Sequence, residues 1–394
     1  MTAGFPRYSS AGGGRIGAGR RLVLVLVAAG QLAGPVAAVP SAVSRAAVQP
    51  VPGPDPAVID SAVDRAVRFL ARRQVPPQSP DPALAGAFVA ERDLLTVTAL
   101  TVLALLSAAH TEDDGRYGLT LLRAGDWLSA ELSGERPGQQ GGDTDTDVRG
   151  QAMAVLALAE LAAQAFEADR RDRYLGALRL AAERLRSARL PPGAGDGAGA
   201  WPTRRGERGD LIATAWSALA LNIAHQLTAT GDDPGLADAA AFAQRCLSRD
   251  SDNIAFAEHP GGPVSPSATA GGVLIAAISR DAGLAAVRLR AADEMARSPV
   301  RGDDPAVYTA VWLSVLAARY SDAAGSDADD APVGRRVLAW AIPLLLSLQQ
   351  DDGGFALPRG TPDPGRVHAT ALAVLALTAD RGVLLAHLPL PRLR

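Results

Sequence analysis

One short pattern, written six times, constrains this chain more than anything else in it. Residues 98–105 (TALTVLAL) recur as 151–158 (QAMAVLAL), 214–221 (TAWSALAL) and 370–377 (TALAVLAL), and looser copies begin at Thr269 and Thr309. Five of the six put Thr-Ala at the same point. Each copy is apolar almost all round, the pattern of a helix buried on every side. Before each comes a more amphipathic stretch with Arg and Asp or Glu on one face, near 57–74, 118–133, 171–189, 235–248, 284–298 and 333–350. Charged-face helices alternating with all-apolar ones imply two layers, the apolar set inside. An open solenoid of such hairpins needs polar outer faces on its end repeats, and neither end has them. A closed ring needs none. The expected fold is therefore all-α, an (α/α)6 toroid of six helical hairpins over residues 57–380, with a tail at 381–394.

The first residues read as an address. Arg15, Arg20 and Arg21 precede the apolar run from Leu22 to Gly30, and the small residues Val36, Ala37 and Ala38 follow. That is the pattern of a signal peptide over 1–38, cleaved after Ala38, with an uncleaved anchor as the alternative. Residues 39–56, rich in Pro, Ala and Val, form a linker, and the toroid is expected outside the cytoplasm. The formal net charge is −3, which offers no basic footprint to nucleic acid. Arg supplies every positive charge and Lys is absent, as in the codon usage of a GC-rich bacterium. The single cysteine, Cys246, excludes an intrachain disulfide framework and a cysteine-rich zinc site.

The last repeat carries a finer signature. Residues 344–355 (LLLSLQQDDGGF) run through a loop into His368-Ala369-Thr370-Ala371-Leu372. This resembles the repeat shared by squalene and oxidosqualene cyclases and by the β-subunits of protein prenyltransferases. There an outer helix ends in Gln, a Gly-rich turn presents Trp or Phe, and a Thr-Ala inner helix follows. Gln74 with Gly86-Ala87-Phe88, and Gly197 to Trp201, echo it. The resemblance implies an α/α toroid, in agreement with the layer argument.

The family's chemistry has no counterpart here. Squalene cyclases set an acid immediately before Thr-Ala, but that slot holds Val97, Gly150, Ala213, Ala268, Tyr308 and Ala369. Prenyltransferase β-subunits bind zinc through Asp, Cys and His near their last repeats, and only His368 corresponds, one residue out of step. Aromatic side chains make up 4% of the chain, a thin lining for carbocations held by cation–π contact.

The polar residues at the starts of the inner helices remain. Asp93, Asp147, Asp210 and Asp304 lie four or five residues before the Thr-Ala slot, with Ser265 and Arg366 in the other two repeats. In a ring all six starts share one end, so these groups circle one mouth. Helix capping accounts for them. Carboxylate-driven glycoside hydrolysis does too, with Asp147, Asp210, Asp304 and His368 as catalytic candidates. Asp93, Trp216, Tyr308 and Trp312 are the ligand-binding candidates. Asp143, Asp145 and Asp147 alternate in a Gly-flanked loop and could ligate calcium, although Val148 and Ala154 break the EF-hand pattern; a solvated acidic loop is the alternative. With the cyclase acid and the zinc ligands missing, the expected function is a non-catalytic envelope toroid that binds a lipid, a peptide or an envelope protein. The alternative is a divergent cyclase-like or carboxylate-dependent glycan-active enzyme. No cofactor other than calcium is expected.

Overall fold

The computed structural model describes residues 55–89, 93–113, 115–134, 147–228, 235–250, 253–324, 332–357 and 364–387. The proposed leader and linker lie outside the described residues, apart from Asp55 and Pro56, the cap and the first residue of α1. Among the described residues twelve α-helices follow one another as six hairpins: α1 (Pro56–Ala71) and α2 (Leu94–Ser107), α3 (Gly118–Ser133) and α4 (Val148–Gln164), α5 (Ala168–Ser187) and α6 (Leu211–Thr228). Then come α7 (Leu236–Cys246) and α8 (Pro266–Ser279), α9 (Ala282–Arg297) and α10 (Val307–Ala323), α11 (Val333–Leu348) and α12 (Pro364–Thr378). A short antiparallel hairpin of β1 (Leu247–Asp250) and β2 (Asn253–Phe256) links α7 to α8.

The even-numbered helices are the repeats, and they form the inner layer. In α2 every residue after the first is buried, including Thr96, Thr98, Thr101 and Ser107. Each inner helix packs on the next, and α12 packs on α2. The ring is closed. Ala at so many facing positions lets helix backbones approach closely, while Leu and Val fill the space between them. The seam between the last and first hairpins is stitched in both layers. Thr378 donates to Ser107 at 2.8 Å between α12 and α2, and Gln349 Nε2 donates to the Ala62 carbonyl of α1 at 2.8 Å.

The repeat motif has a structural explanation. The hydroxyl oxygens of Thr98, Thr214, Thr269 and Thr370 accept the backbone N–H of Phe88, Trp201, Phe256 and Phe355, at 3.1, 3.0, 3.2 and 3.1 Å. All four aromatic rings are wholly buried. The Thr of Thr-Ala thus gives a buried N–H its acceptor, a bond of about 1 kcal/mol whose loss costs more because the donor is left unpaired. The outer-helix Gln ties the same turn down: Gln74 Nε2 donates to the carbonyls of Gly86 and of Thr120 on the next outer helix. Gly86 at φ 94° and Gly353 at φ 91° sit where a Cβ would run into the backbone carbonyl of Arg123 or Arg65. Each turn glycine therefore lets its hairpin close against the following outer helix.

Candidate functional site

All six inner helices begin at one end of the ring, and the sequence-marked polar residues gather there. Their roles differ. Asp147 is buried; one carboxylate oxygen accepts the Gly150 N–H at 2.9 Å and the other the Thr96 hydroxyl at 2.9 Å. A Cβ on Gly150 would overlap that carboxylate. The slot that holds an acid in squalene cyclases must therefore stay empty in this repeat. Asp210 Oδ1 accepts the Ala213 N–H at 2.7 Å, Ser265 accepts that of Ala268 at 3.1 Å, and Asp304 accepts that of Ala306 at 2.7 Å. Asp210 and Ser265 are the expected caps, whereas Asp304 bonds within the turn ahead of α10, whose N-cap position is Ala306.

Asp93 is not a cap. It precedes α2 with φ 53° and ψ 42°, the left-handed region that Asp tolerates better than most residues, and its side chain bonds no helix N–H. Instead its carboxylate turns to two guanidinium groups, Arg204 at 3.6 Å and Arg149 at 3.9 Å, and stays one-third exposed. The Arg204 loop is anchored beside it, because the backbone of Asp147 pairs antiparallel with that of Arg204 and the Val148 N–H donates to the Thr203 carbonyl at 3.1 Å.

Arg149, in the first turn of α4, escaped sequence reasoning because a lone Arg at a helix start looks like a solvated charge. It is the hub of the mouth. It faces Asp93, its charge acts on both Asp210 and His368, and it lines the cavity on the ring axis. That cavity is small, about 10 Å³, and Thr96, Trp216, Thr309, Trp312 and His368 also line it. Trp216 and Trp312 stack at 4.5 Å with 28° between their planes, both buried, and fill the ring centre. Tyr308 is buried next to Phe355 and donates its hydroxyl to the Ala356 carbonyl, so it braces the turn before α12.

Electrostatics separates the titratable groups. Burial raises the Asp210 carboxyl above the usual Asp range, and the nearby charge of Glu258 adds to this, while the Ala213 N–H and Arg149 oppose it. The Leu211 N–H donates to the Glu258 carbonyl at 2.8 Å, which fixes that loop against the start of α6. His368 is pushed down to about 3, by burial first and by Arg149 second, so it is a neutral imidazole at ordinary pH. Arg366 is drawn away to Asp352 at 2.8 Å. Of the calcium candidates, Asp143 and Asp145 lie outside the described residues, and both oxygens of Asp147 are engaged. Among the described residues no cluster of three His, Cys, Asp or Glu could hold a metal ion.

The molecule is thus an (α/α)6 toroid with a polar mouth, and solved structures share this fold. An inactive variant of the α-1,6-mannanase from Salegentibacter sp. HEL1_6, in complex with α-1,6-mannotriose, superposes with a TM-score of 0.55 at 10% identity, over 81% of this chain and 99% of that one. The unsaturated glucuronyl hydrolase from Streptococcus agalactiae gives 0.58 at 12% identity, over 83% and 93%. The one from Bacillus sp. GL1 gives 0.56 at 15% identity, over 82% and 97%. At such identities the likeness shows the fold. No family model matches the chain, and no curated protein matches it in sequence.

Two expectations change. The toroid implied by the repeat resemblance holds, but the solved structures compared are glycoside hydrolases, not cyclases or prenyltransferases. The expectation of a non-catalytic binding toroid is overturned by the same finding. It rested on a missing cyclase acid and missing zinc ligands, and glycoside hydrolysis of the two-carboxylate kind needs neither.

Proposed function

We propose that the protein is a glycan-active enzyme, a carboxylate-dependent glycoside hydrolase working at the mouth of the ring. The observation that carries this reading is the set of carboxylates around Arg149, which differ in environment as an acid and a base must. Asp210, raised by burial and by Glu258, is the proton donor to the leaving-group oxygen. Asp93, exposed and set beside two guanidinium groups, takes the proton of the attacking water as the glycosidic C–O bond breaks. Asp147 holds Thr96 and the start of α4 in place. The filled ring centre keeps the sugar at the rim, so the reading favours attack on a chain end that meets the mouth. The fold shared with a mannanase and with glucuronyl hydrolases supports it. The leader over 1–38 belongs to the same proposal, since it would bring the enzyme to extracellular glycan; the N-terminal mass of the protein recovered from its host tests it.

The test of activity is a screen of the full chain against α-1,6-mannan and oligosaccharides ending in an unsaturated uronic acid, with the Asp210→Asn variant alongside. New reducing ends from the wild type and not from the variant are expected. Equal release by both, or none by either on any glycan tried, sinks the proposal.

A further inference from the structure

The end away from the mouth, where inner helices finish and outer helices begin, carries the apolar side chains that the ring leaves in solvent. Among the described residues the two most exposed large ones are Phe166, 82% accessible, and Leu119, 66%. Phe166 lies between the end of α4 and the start of α5, and Leu119 is the second residue of α3. The outer helices α3 and α5 pack on each other, so both residues belong to neighbouring hairpins. Val58, in the first turn of α1, and Val383, just after α12, continue along the same rim, where Arg381 pairs with Asp60. Single exposed apolar residues are ordinary, but a set gathered on one rim points to something that covers it.

The sequence indicates the cover. The chain enters the ring at this same end, since α1 starts there at Pro56. Upstream, residues 22–39 carry no charged side chain, about the shortest run that spans a bilayer. The Pro-rich linker in between, extended at about 3.3 Å per residue, is longer than any helix of the ring, so a tether by itself would let either end meet a membrane. The apolar rim decides between them. Aromatic and aliphatic side chains favour the bilayer interface, and Asp55, Glu167 and Asp169 are exposed beside Arg116 and Arg171, so the rim has no excess of positive charge that calls for anionic headgroups. We propose that the end opposite the mouth rests on a lipid bilayer, with residues 22–39 retained as the anchor and Phe166 and Leu119 dipping into the interface. The mouth then faces away from the membrane, open to whatever approaches from outside. This inference stands apart from the glycosidase reading, because it concerns only which end is covered.

Three single-cysteine variants test it, each carrying an environment-sensitive fluorophore: Phe166→Cys, Leu119→Cys and, at the mouth, Val264→Cys. All three positions are exposed, so the fold tolerates the change, and the native Cys246 is buried and takes no label. The full chain is reconstituted into phosphatidylcholine vesicles with and without a spin-labelled lipid as quencher. The labels at 166 and 119 are expected to shift to the blue and to lose emission to the quencher, while the label at 264 does neither. Equal quenching at both ends, quenching at 264 alone, or none at any position overturns the inference. The mass of the protein recovered from its host gives a second check. A chain that still contains residues 22–39 is expected, and one that begins at Val39 overturns the anchor.

Discussion

The two ends of the ring are built from the same six helices and are finished in opposite ways. At the mouth, where the inner helices start, Asp93 sits in the left-handed region, the Arg149 Nε has no acceptor and the Asp210 carboxyl is raised. At the far end, the chain turns back after α12 and seals the opening with its own residues. Leu384 and Ala386 are buried, and the Ala386 N–H donates to Glu160 on α4 at 3.0 Å. Glu160 is itself wholly buried; burial raises its carboxyl to about 7, against the hydrogen bonds from Leu385, Ala386 and Gln164. Thr378 and Ser107 join the seam beside it. Left-handed non-glycine residues occur at both ends, Asp93 before α2 and Ala109 and Arg280 after α2 and α8. What separates the ends is the gathering of charged side chains at the mouth and the cover of the chain's own C-terminal residues at the other. Titratable groups held in contrasting environments beside one opening are where chemistry is to be sought, and the mouth has them while the sealed end is covered.

The comparison can be broken most severely at the mouth. Asp93→Asn is expected to lower kcat by about 10²–10⁴, the range for a lost general base, with little change in thermal stability. A loss of stability without loss of rate would move Asp93 to the structural side. At the far end the effects should be reversed in kind. Leu384→Ala, which opens a void under the seal, is expected to cost about 2–5 kcal/mol in denaturant unfolding and leave kcat of the folded fraction unchanged. Glu160→Gln sharpens the contrast through pH. The folded chain keeps the Glu160 proton up to about pH 7, whereas an unfolded Glu releases it near its ordinary value. Stability therefore falls by up to about 3 kcal/mol as pH rises across that interval. The variant should melt above the wild type at pH 8 and converge with it near pH 5, and a gap of equal size at both would refute the burial of that charge. The smallest effect belongs to the repeat motif between the ends. Thr370→Val leaves the buried Phe355 N–H without its acceptor and should cost about 1–3 kcal/mol, read as a shift in melting temperature with activity retained.

Much of this was legible in the sequence, for physical reasons. The inner helices announced themselves because burial on all sides leaves no polar face, and of the amphipathic outer helices α3 runs over 118–133 as the periodicity implied. The caps at Asp147, Asp210 and Ser265 were legible because capping is local. Asp93 was misread by the same rule, since nothing local shows that its backbone turns left-handed and its side chain goes to Arg149 and Arg204. Arg149 was missed because its importance comes from five helices converging on it. The seal at the far end joins Glu160 to Ala386, 226 positions apart, and no spacing pattern carries that. The outer-layer Gln and Gly looked like a family badge, and they prove to be the stitches that hold consecutive hairpins together.

The central claim is that catalysis belongs to the mouth and not to the sealed end. Its most direct test is to measure the initial rate of reducing-end release by the wild type, Asp210→Asn and Glu160→Gln in parallel, on whichever glycan the wild type cleaves. The account predicts that the first variant loses at least about 10² in rate while the second matches the wild type. A wild-type rate in Asp210→Asn, or a collapse in Glu160→Gln with its fold intact, would contradict it.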